Sequence, residues 1–457
     1  MLPAVLVLGR AASAHANGAF PDAVQILLPQ QNTQQIILGT TFGMVISDDA
    51  GKTWSWVCEQ HESTNGSLYQ LGPPPLERLF AVSQYGAVFS DDASCTWSTS
   101  AGALSSVLAN DVFPEALAPA RVWAIARPIG AAGRPGVYLS TDSGKTYGAS
   151  LYDDPLPGEL TGVEVAQSDP QTVYVAMYET QPCGGADGGA AIDGGDGRDD
   201  AGDAGDAETL CTLPRLLHSS DGGGHWDAPI DLEPALGQGT VRIIAVDPQD
   251  PRRIFLRLTS FSQPVDKLAV SADGGATFST PVSVSGSLTA FLRRADGTIL
   301  VSGLTDAGPV GFRSRDGGGT FTPWPGIPSL RALAERDGRI YGAADWVKDK
   351  YALGVSTDDG DTWTAVMTFD QVSSVRACVQ AVCQDPCEFL AGETLWPPET
   401  CMSSVPNPPK PKATGCGCAA GDGAAPDARE KKLNRPSLVV ALLIGAMLAG
   451  RRRRQRR

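Results

Sequence analysis

SDDAGKTW, running from Ser47 to Trp54, comes back near the other end of the chain as STDDGDTW, from Ser356 to Trp363. Five more copies lie between: SDDASCTW (Ser90 to Trp97), STDSGKTY (Ser140 to Tyr147), SSDGGGHW (Ser219 to Trp226), SADGGATF (Ser271 to Phe278) and SRDGGGTF (Ser314 to Phe321). Serine stands first, aspartate third, glycine fifth, threonine seventh and an aromatic ring last. Ser94 takes the glycine place in the second copy, and His225 the threonine place in the fourth. The third-position aspartates Asp49, Asp92, Asp142, Asp221, Asp273, Asp316 and Asp358 are 43, 50, 79, 52, 43 and 42 residues apart. Self-similarity at such a period marks a propeller or solenoid, in which each repeat is one supersecondary unit.

An apolar run precedes every copy, among them GMVI, GVYL, KLAV and ALGV. Strand, tight turn and return strand follow, because a turn aspartate accepts bonds from nearby amides and glycine takes positive φ without steric cost. The closing rings, Trp54, Trp97, Trp226 and Trp363 among them, are expected to be buried between sheets. Further apolar runs upstream, such as QQIILGT, RVWAIA, TVYVAM and RIFLRL, supply more strands. SDPQTVYVA and VDPQDPRRIFL place Asp-Pro turns between the first and second of them. Four strands per repeat is the propeller count. The expected fold is all-β, a seven-bladed β-propeller with four-stranded antiparallel blades.

The seven in-phase copies resemble the Asp-box, or BNR, repeats of sialidase-like propellers over roughly residues 20–375. The resemblance implies that the aspartates staple blade hairpins away from the central channel and carry no catalysis. A sialidase would also need converging arginines, a Tyr–Glu pair and an acidic proton donor, with an Arg-Ile-Pro signature near the first blade. Beyond the leader, the first arginine is Arg78, and Arg127-Pro128-Ile129 has those letters in another order. Arg121, Arg127, Arg242 and Arg257 are the arginines that strand placement leaves open to the channel. Propeller assembly factors of photosystem II share the boxes too, and no matching site is legible here.

The reading divides the chain into a signal peptide (1–16, ending Ala14-His15-Ala16) and a propeller (17–375). A Cys-rich disulfide segment (376–402), a flexible linker (403–436) and a hydrophobic, Arg-rich tail (437–457) follow. The tail orders GCGC (Gly415 to Cys418), an apolar run from Leu438 to Gly450, and RRRRQRR. That apolar run reaches only ~20 Å against a bilayer core of ~30 Å. It resembles the MYXO-CTERM sorting signal of myxobacterial surface proteins, which implies processing and anchoring at Cys416 or Cys418. An ordinary short tail anchor is the alternative. Expected partners are therefore the export and sorting machinery and, through the tail, a membrane. The expected location is the cell surface or outer membrane, or the medium after release.

Eight other cysteines suit an oxidising compartment. Cys58 and Cys95 occupy like places in adjacent blades and are expected to pair. Cys183 and Cys211 bracket an insertion and are expected to close it. Cys378, Cys383, Cys387 and Cys401 follow the last blade. Zinc is the rival for those four, but their spacing lacks two short Cys pairs. The insertion (184–210) holds Asp187, Asp193, Asp196, Asp199, Asp200, Asp203, Asp206 and Glu208 against Arg198. It reads as a solvated, disordered loop; calcium is the alternative, but neither the EF-hand order nor the full GGxGxDxUx nonapeptide, with its large apolar residue, occurs.

The net charge of −15 argues against nucleic acid, which demands a basic patch. Four histidines, with no G-x-S-x-G turn and no His-rich cluster, leave little material for a triad or metal site. No cofactor is implied. The expected function is a non-enzymatic, surface-displayed binding or scaffold module for carbohydrate or protein. A secreted glycoside hydrolase with a divergent, carboxylate-based site is the alternative.

Overall fold

The structure is a computed structural model that describes residues 21–62, 69–83, 86–105, 107–128, 135–153, 158–183, 210–261 and 263–406. These residues form mainly β-strands, arranged as successive antiparallel four-strand units in chain order. The first unit runs Ala23–Leu27, Ile36–Thr40, Gly43–Ser47 and Trp54–Cys58. The second begins at Tyr69–Leu71, the third at Val107–Pro114 and the fourth at Gly158–Val165. The fifth and sixth are fused, because the strand Ser279–Arg293 ends one unit and begins the next. The seventh runs from Leu330–Arg336 to Thr364–Met367. Each second strand is an almost continuous apolar run, such as Val122–Pro128 or Ile254–Thr259, because neighbouring units cover both of its faces.

The boxes form the turns between third and fourth strands by a repeated set of local bonds. The aspartate Oδ1 accepts from the box serine hydroxyl at 2.7–3.0 Å in all seven copies. It also accepts from the amide four residues on, at 2.8–3.0 Å. The serine oxygen in turn accepts from the fifth-position amide at 2.8–3.0 Å. The fourth and fifth residues are left-handed every time, with φ between 52° and 95°, and Ser94 adopts φ 73° where glycine is usual. His225 replaces the threonine hydroxyl with its ring, Nδ1 lying 2.6 Å from Asp221 Oδ2.

The box rings depart from expectation. Trp54 is buried, whereas Trp97, Trp226 and Trp363 are only partly so. Each is partly exposed and lies against another ring: Trp97 against Tyr69, Trp226 against Tyr152, Trp363 against Trp324. The deeper packing belongs to the box glycines. A Cβ on Gly144 would stand 2.5 Å from Phe80, and one on Gly318 2.7 Å from Phe255, each in the preceding unit.

In every unit but the second, the first strand carries a β-bulge. The side chain at or beside the bulge often reaches the first strand of the next unit. Gln25 exchanges bonds with the Tyr69 backbone, Asn110 donates to Leu160 O at 3.0 Å, Thr161 to Val241 O, and Thr289 to Leu330 O at 2.6 Å. In the seventh unit Arg331 pairs with Asp22 of the first at 3.2 Å, and Arg336 donates to Gln35 O at 2.8 Å.

Past the seventh unit the chain returns to the first. Val372–Arg376 adds in parallel to the outer edge of Trp54–Cys58, and a helix, Gln380–Gly392, follows. A terminal strand thus joins the opposite unit, but as an addition to four strands already present. The pairing expected for Cys58 and Cys95 is not found. Cys58 joins Cys383 and Cys95 joins Cys378, with Cα–Cα distances of 5.5 and 5.6 Å. The two cysteines of adjacent units face the returning segment, which lies across both, so each has a nearer partner there. Cys183–Cys211 and Cys387–Cys401 complete the set, so all four cysteines weighed for zinc are consumed in disulfides.

Most of the acidic insertion lies outside the described residues, although Leu210 already opens the return strand. The leader, Cys416, Cys418 and the apolar tail also lie outside them. Among the described residues, no helix is long and apolar enough to cross a membrane.

Candidate functional site

The boxes are electrostatically quiet. Bonds from the hydroxyl and amide of Thr277 and Thr362 hold Asp273 and Asp358 down to about 2 from 3.8. For Asp142 a burial penalty is overcome by bonds from Thr146, again giving about 2, and the His225 amide and ring do the same for Asp221. Asp49 and Asp316 are lowered as well. A depressed carboxyl contributes stability that is complete above its unfolded value and disappears as pH falls through its folded one. Thermal midpoints measured from neutral pH downward should therefore hold until the unfolded value of 3.8 is approached, then fall toward about 2. A midpoint that already declines steeply between about pH 6 and 5, above the carboxylate range, would contradict this assignment.

The described histidines have structural partners. His61 Nε2 lies 2.8 Å from Cys95 O, and His218 Nδ1 lies 2.7 Å from Asp227 Oδ2. Of the four arginines singled out by sequence, Arg257 pairs with Asp266 at 2.6 Å and Arg121 with Glu115 at 2.7 Å, while Arg127 is exposed. Arg242 is different. Its Nη2 lies 3.9 Å from Asp111 Oδ1, and its side chain is still 45% exposed.

Around Arg242 the first strands of the third, fourth and fifth units bring two acids together. Asp111 sits beside the bulge in Val107–Pro114 and accepts from the amides of Val112 at 3.0 Å and Val163 at 3.2 Å. Burial raises its pKa, with Arg242 and those two amides pulling the other way. Glu164, in Gly158–Val165, is pushed well above the usual carboxylate range by burial and then by Asp111, against the pull of Arg242. Gly162 permits the approach: a Cβ there would stand 2.9 Å from Ile243 Cγ2.

Glu164 lines a cavity of about 230 Å³ walled by Phe113, Val165, Pro170, Val246 and Pro248. Glu115 also lines it, but its Oε1 is already taken by Arg121 and by Trp123 Nε1 at 2.6 Å. Leu117 stands on the lining with 67% of its surface exposed. Sequence reading had selected Arg242 but missed Asp111 and Glu164. Their signal is an acid interrupting an apolar first-strand run, in VLANDVF and LTGVEVA. Among the described residues, no group of three or more His, Cys, Asp or Glu side chains is placed to hold a metal ion.

No protein-family model and no curated protein matches the chain. Among solved structures it is similar to the β-propeller domain of the Trilobed protease from Pyrococcus furiosus, at 8% identity and a TM-score of 0.46, over 77% of this chain and 99% of that one. It is similar to a GH74 xyloglucanase from Xanthomonas campestris, at 14% identity and a TM-score of 0.34, over 75% of this chain. This chain spans 64% of that enzyme's length. A third similarity is to YCF48 from Cyanidioschyzon merolae, at 16% identity and a TM-score of 0.34, covering 58% of this chain and 73% of that one.

Proposed function

We propose that the chain is an exported, seven-bladed β-propeller that acts as a non-enzymatic binding or scaffold module for protein or carbohydrate. Support for a closed ring of seven blades comes from the links between successive first strands. The ion pair between Arg331 and Asp22 and the packing of Gly51 against Val366 join the last unit to the first. Four disulfides support an oxidising, extracytoplasmic setting. Anchoring through Cys416 or Cys418 belongs to the same proposal; mass analysis of the mature surface protein tests it, since an intact Arg457 would overturn it.

The observation that carries the binding reading is the cavity beside Glu164. Most charged groups near the inner strands are used in links between units, whereas this space opens past an exposed leucine to a carboxyl with no hydrogen-bond partner among the described residues. Apolar walls with a few convergent polar groups are what ligand sites offer. One observation favours the alternative, a glycoside hydrolase: two neighbouring carboxyls with raised pKa values could divide acid and base roles. Against it, Asp111 is occupied by two amides and an arginine. Glycan and peptide arrays probed with the purified protein, alongside chromogenic glycosides, decide between the two. Binding without turnover is expected. Turnover abolished by Glu164→Gln would replace the binding module with the hydrolase.

A further inference from the structure

We propose that the cavity beside Glu164 binds a primary alkylammonium group, of the kind a lysine side chain presents, with its stem on Leu117, Phe113 and Val246 and its charge on the Glu164 carboxylate. The inference rests on the binding-module reading and names the ligand chemistry of that site.

Three observations converge. First, of the acids in and beside the cavity, Glu164 is the one without a hydrogen-bond partner among the described residues; Gln167, the other polar side chain on the lining, is exposed. Glu115 holds Arg121 and Trp123, and Asp111 holds two amides and Arg242. Second, the charges do not balance: Asp111 and Glu164 share a single guanidinium, and that one lies 3.9 Å away and is 45% exposed. Burial and the neighbouring Asp111 carboxylate both favour the neutral form of Glu164, against the pull of the one guanidinium. Third, the cavity walls are aliphatic and aromatic, and Leu117 extends them outward with 67% exposure. An alkyl stem covers such a wall while its ammonium reaches the acid.

On binding, the Glu164 carboxyl gives its proton to solvent and the resulting carboxylate pairs with the arriving ammonium, restoring neutrality. Affinity should then rise with pH until the empty-state carboxyl is already ionised. The groups that face Glu164 and shape this dependence are Asp111 and Arg242, with Glu115 and Arg121 along the wall.

The probes are N-acetyl-lysine N-methylamide and its uncharged norleucine counterpart, titrated calorimetrically into the full-length protein in two buffers of different ionisation enthalpy. The lysine probe should bind with release of about one proton, and more tightly at about pH 8 than at about pH 5. The norleucine probe should bind at least about tenfold more weakly, and Glu164→Gln should cost roughly 30-fold and abolish the pH dependence, as expected for a desolvated ion pair. Leu117→Ser, on an exposed residue, should weaken binding yet keep the pH dependence. Melting curves for both variants confirm that they remain folded. Equal affinity for norleucine, an unchanged Glu164→Gln variant or binding without proton release would each overturn the inference. A ligand found on the arrays that is indifferent to Glu164→Gln would sink the inference and leave the binding module standing. Empty arrays together with a silent lysine probe would remove both.

Discussion

A protein with alanine at both Cys58 and Cys383 should unfold at markedly lower temperature, losing on the order of 4 kcal/mol, the range for a bridge that closes a ring of roughly forty residues. Because Cys95–Cys378 still closes the long circle, the freedom returned is that of the smaller ring between the two bridges, formed by the segments 58–95 and 378–383. Both cysteines are fully buried, Cys58 at the end of the first unit's fourth strand and Cys383 in the helix Gln380–Gly392. Peptide mapping without reduction should recover Cys58 linked to Cys383 and Cys95 linked to Cys378. A Cys58–Cys95 peptide would show that the returning segment is misplaced.

A comparably large loss is expected from Gly360→Ala. Gly360 has φ 86°, and a Cβ there would stand 2.4 Å from Cζ2 of Trp324, which is 1% exposed and donates from Nε1 to Gly360 O at 3.1 Å. The indole is held by that bond and cannot retreat cheaply. Left-handed strain of about 1 kcal/mol adds to an overpacking cost of about 1–3 kcal/mol. Gly338 provides the control, with φ 72° and nothing within 4 Å of its notional Cβ. Gly338→Ala should lose only the strain, about 1 kcal/mol. Similar losses at the two positions, read from denaturant midpoints, would mean that packing between units contributes little at the box.

These two substitutions separate what was legible in the residues from what was not. The box could be read because its bonds stay within eight residues: Ser356, Asp358 and Thr362 meet whatever the rest of the chain does. The role of Gly360 was only half legible. Its left-handed turn is local, but its neighbour Trp324 belongs to another unit, and only the stacking of units brings the two together. For the same reason Trp97, Trp226 and Trp363 looked like core and are not. Each packs part of its ring against the core and leaves the rest in solvent.

Cys183–Cys211, which closes a local insertion, was legible, whereas the partners of Cys58 and Cys95 were beyond local reading. Like positions in adjacent repeats suggested Cys58 with Cys95, yet the partners arrive from more than 280 residues away, once the chain has come round to its beginning. The candidate site was hidden by a subtler shift. One bulged residue in the first strands of the third, fourth and fifth units changes which side chains face the neighbouring unit, so alternation alone could not show that Asp111, Glu164 and Arg242 converge.

The linkage of Cys58 to Cys383 also makes the body of the molecule a covalent circle, with a second tie from Cys95 to Cys378 and a private loop closed by Cys183–Cys211. A protease that cuts the circle once between Cys58 and Cys383 yields two termini but no separate pieces. Such a nick would be invisible on a gel run without reductant and plain on one run with it. Nicked molecules would keep all their strands in register and stay whole. Within this circle, cleavage and release are therefore different events, and release takes a further cut or a reductant.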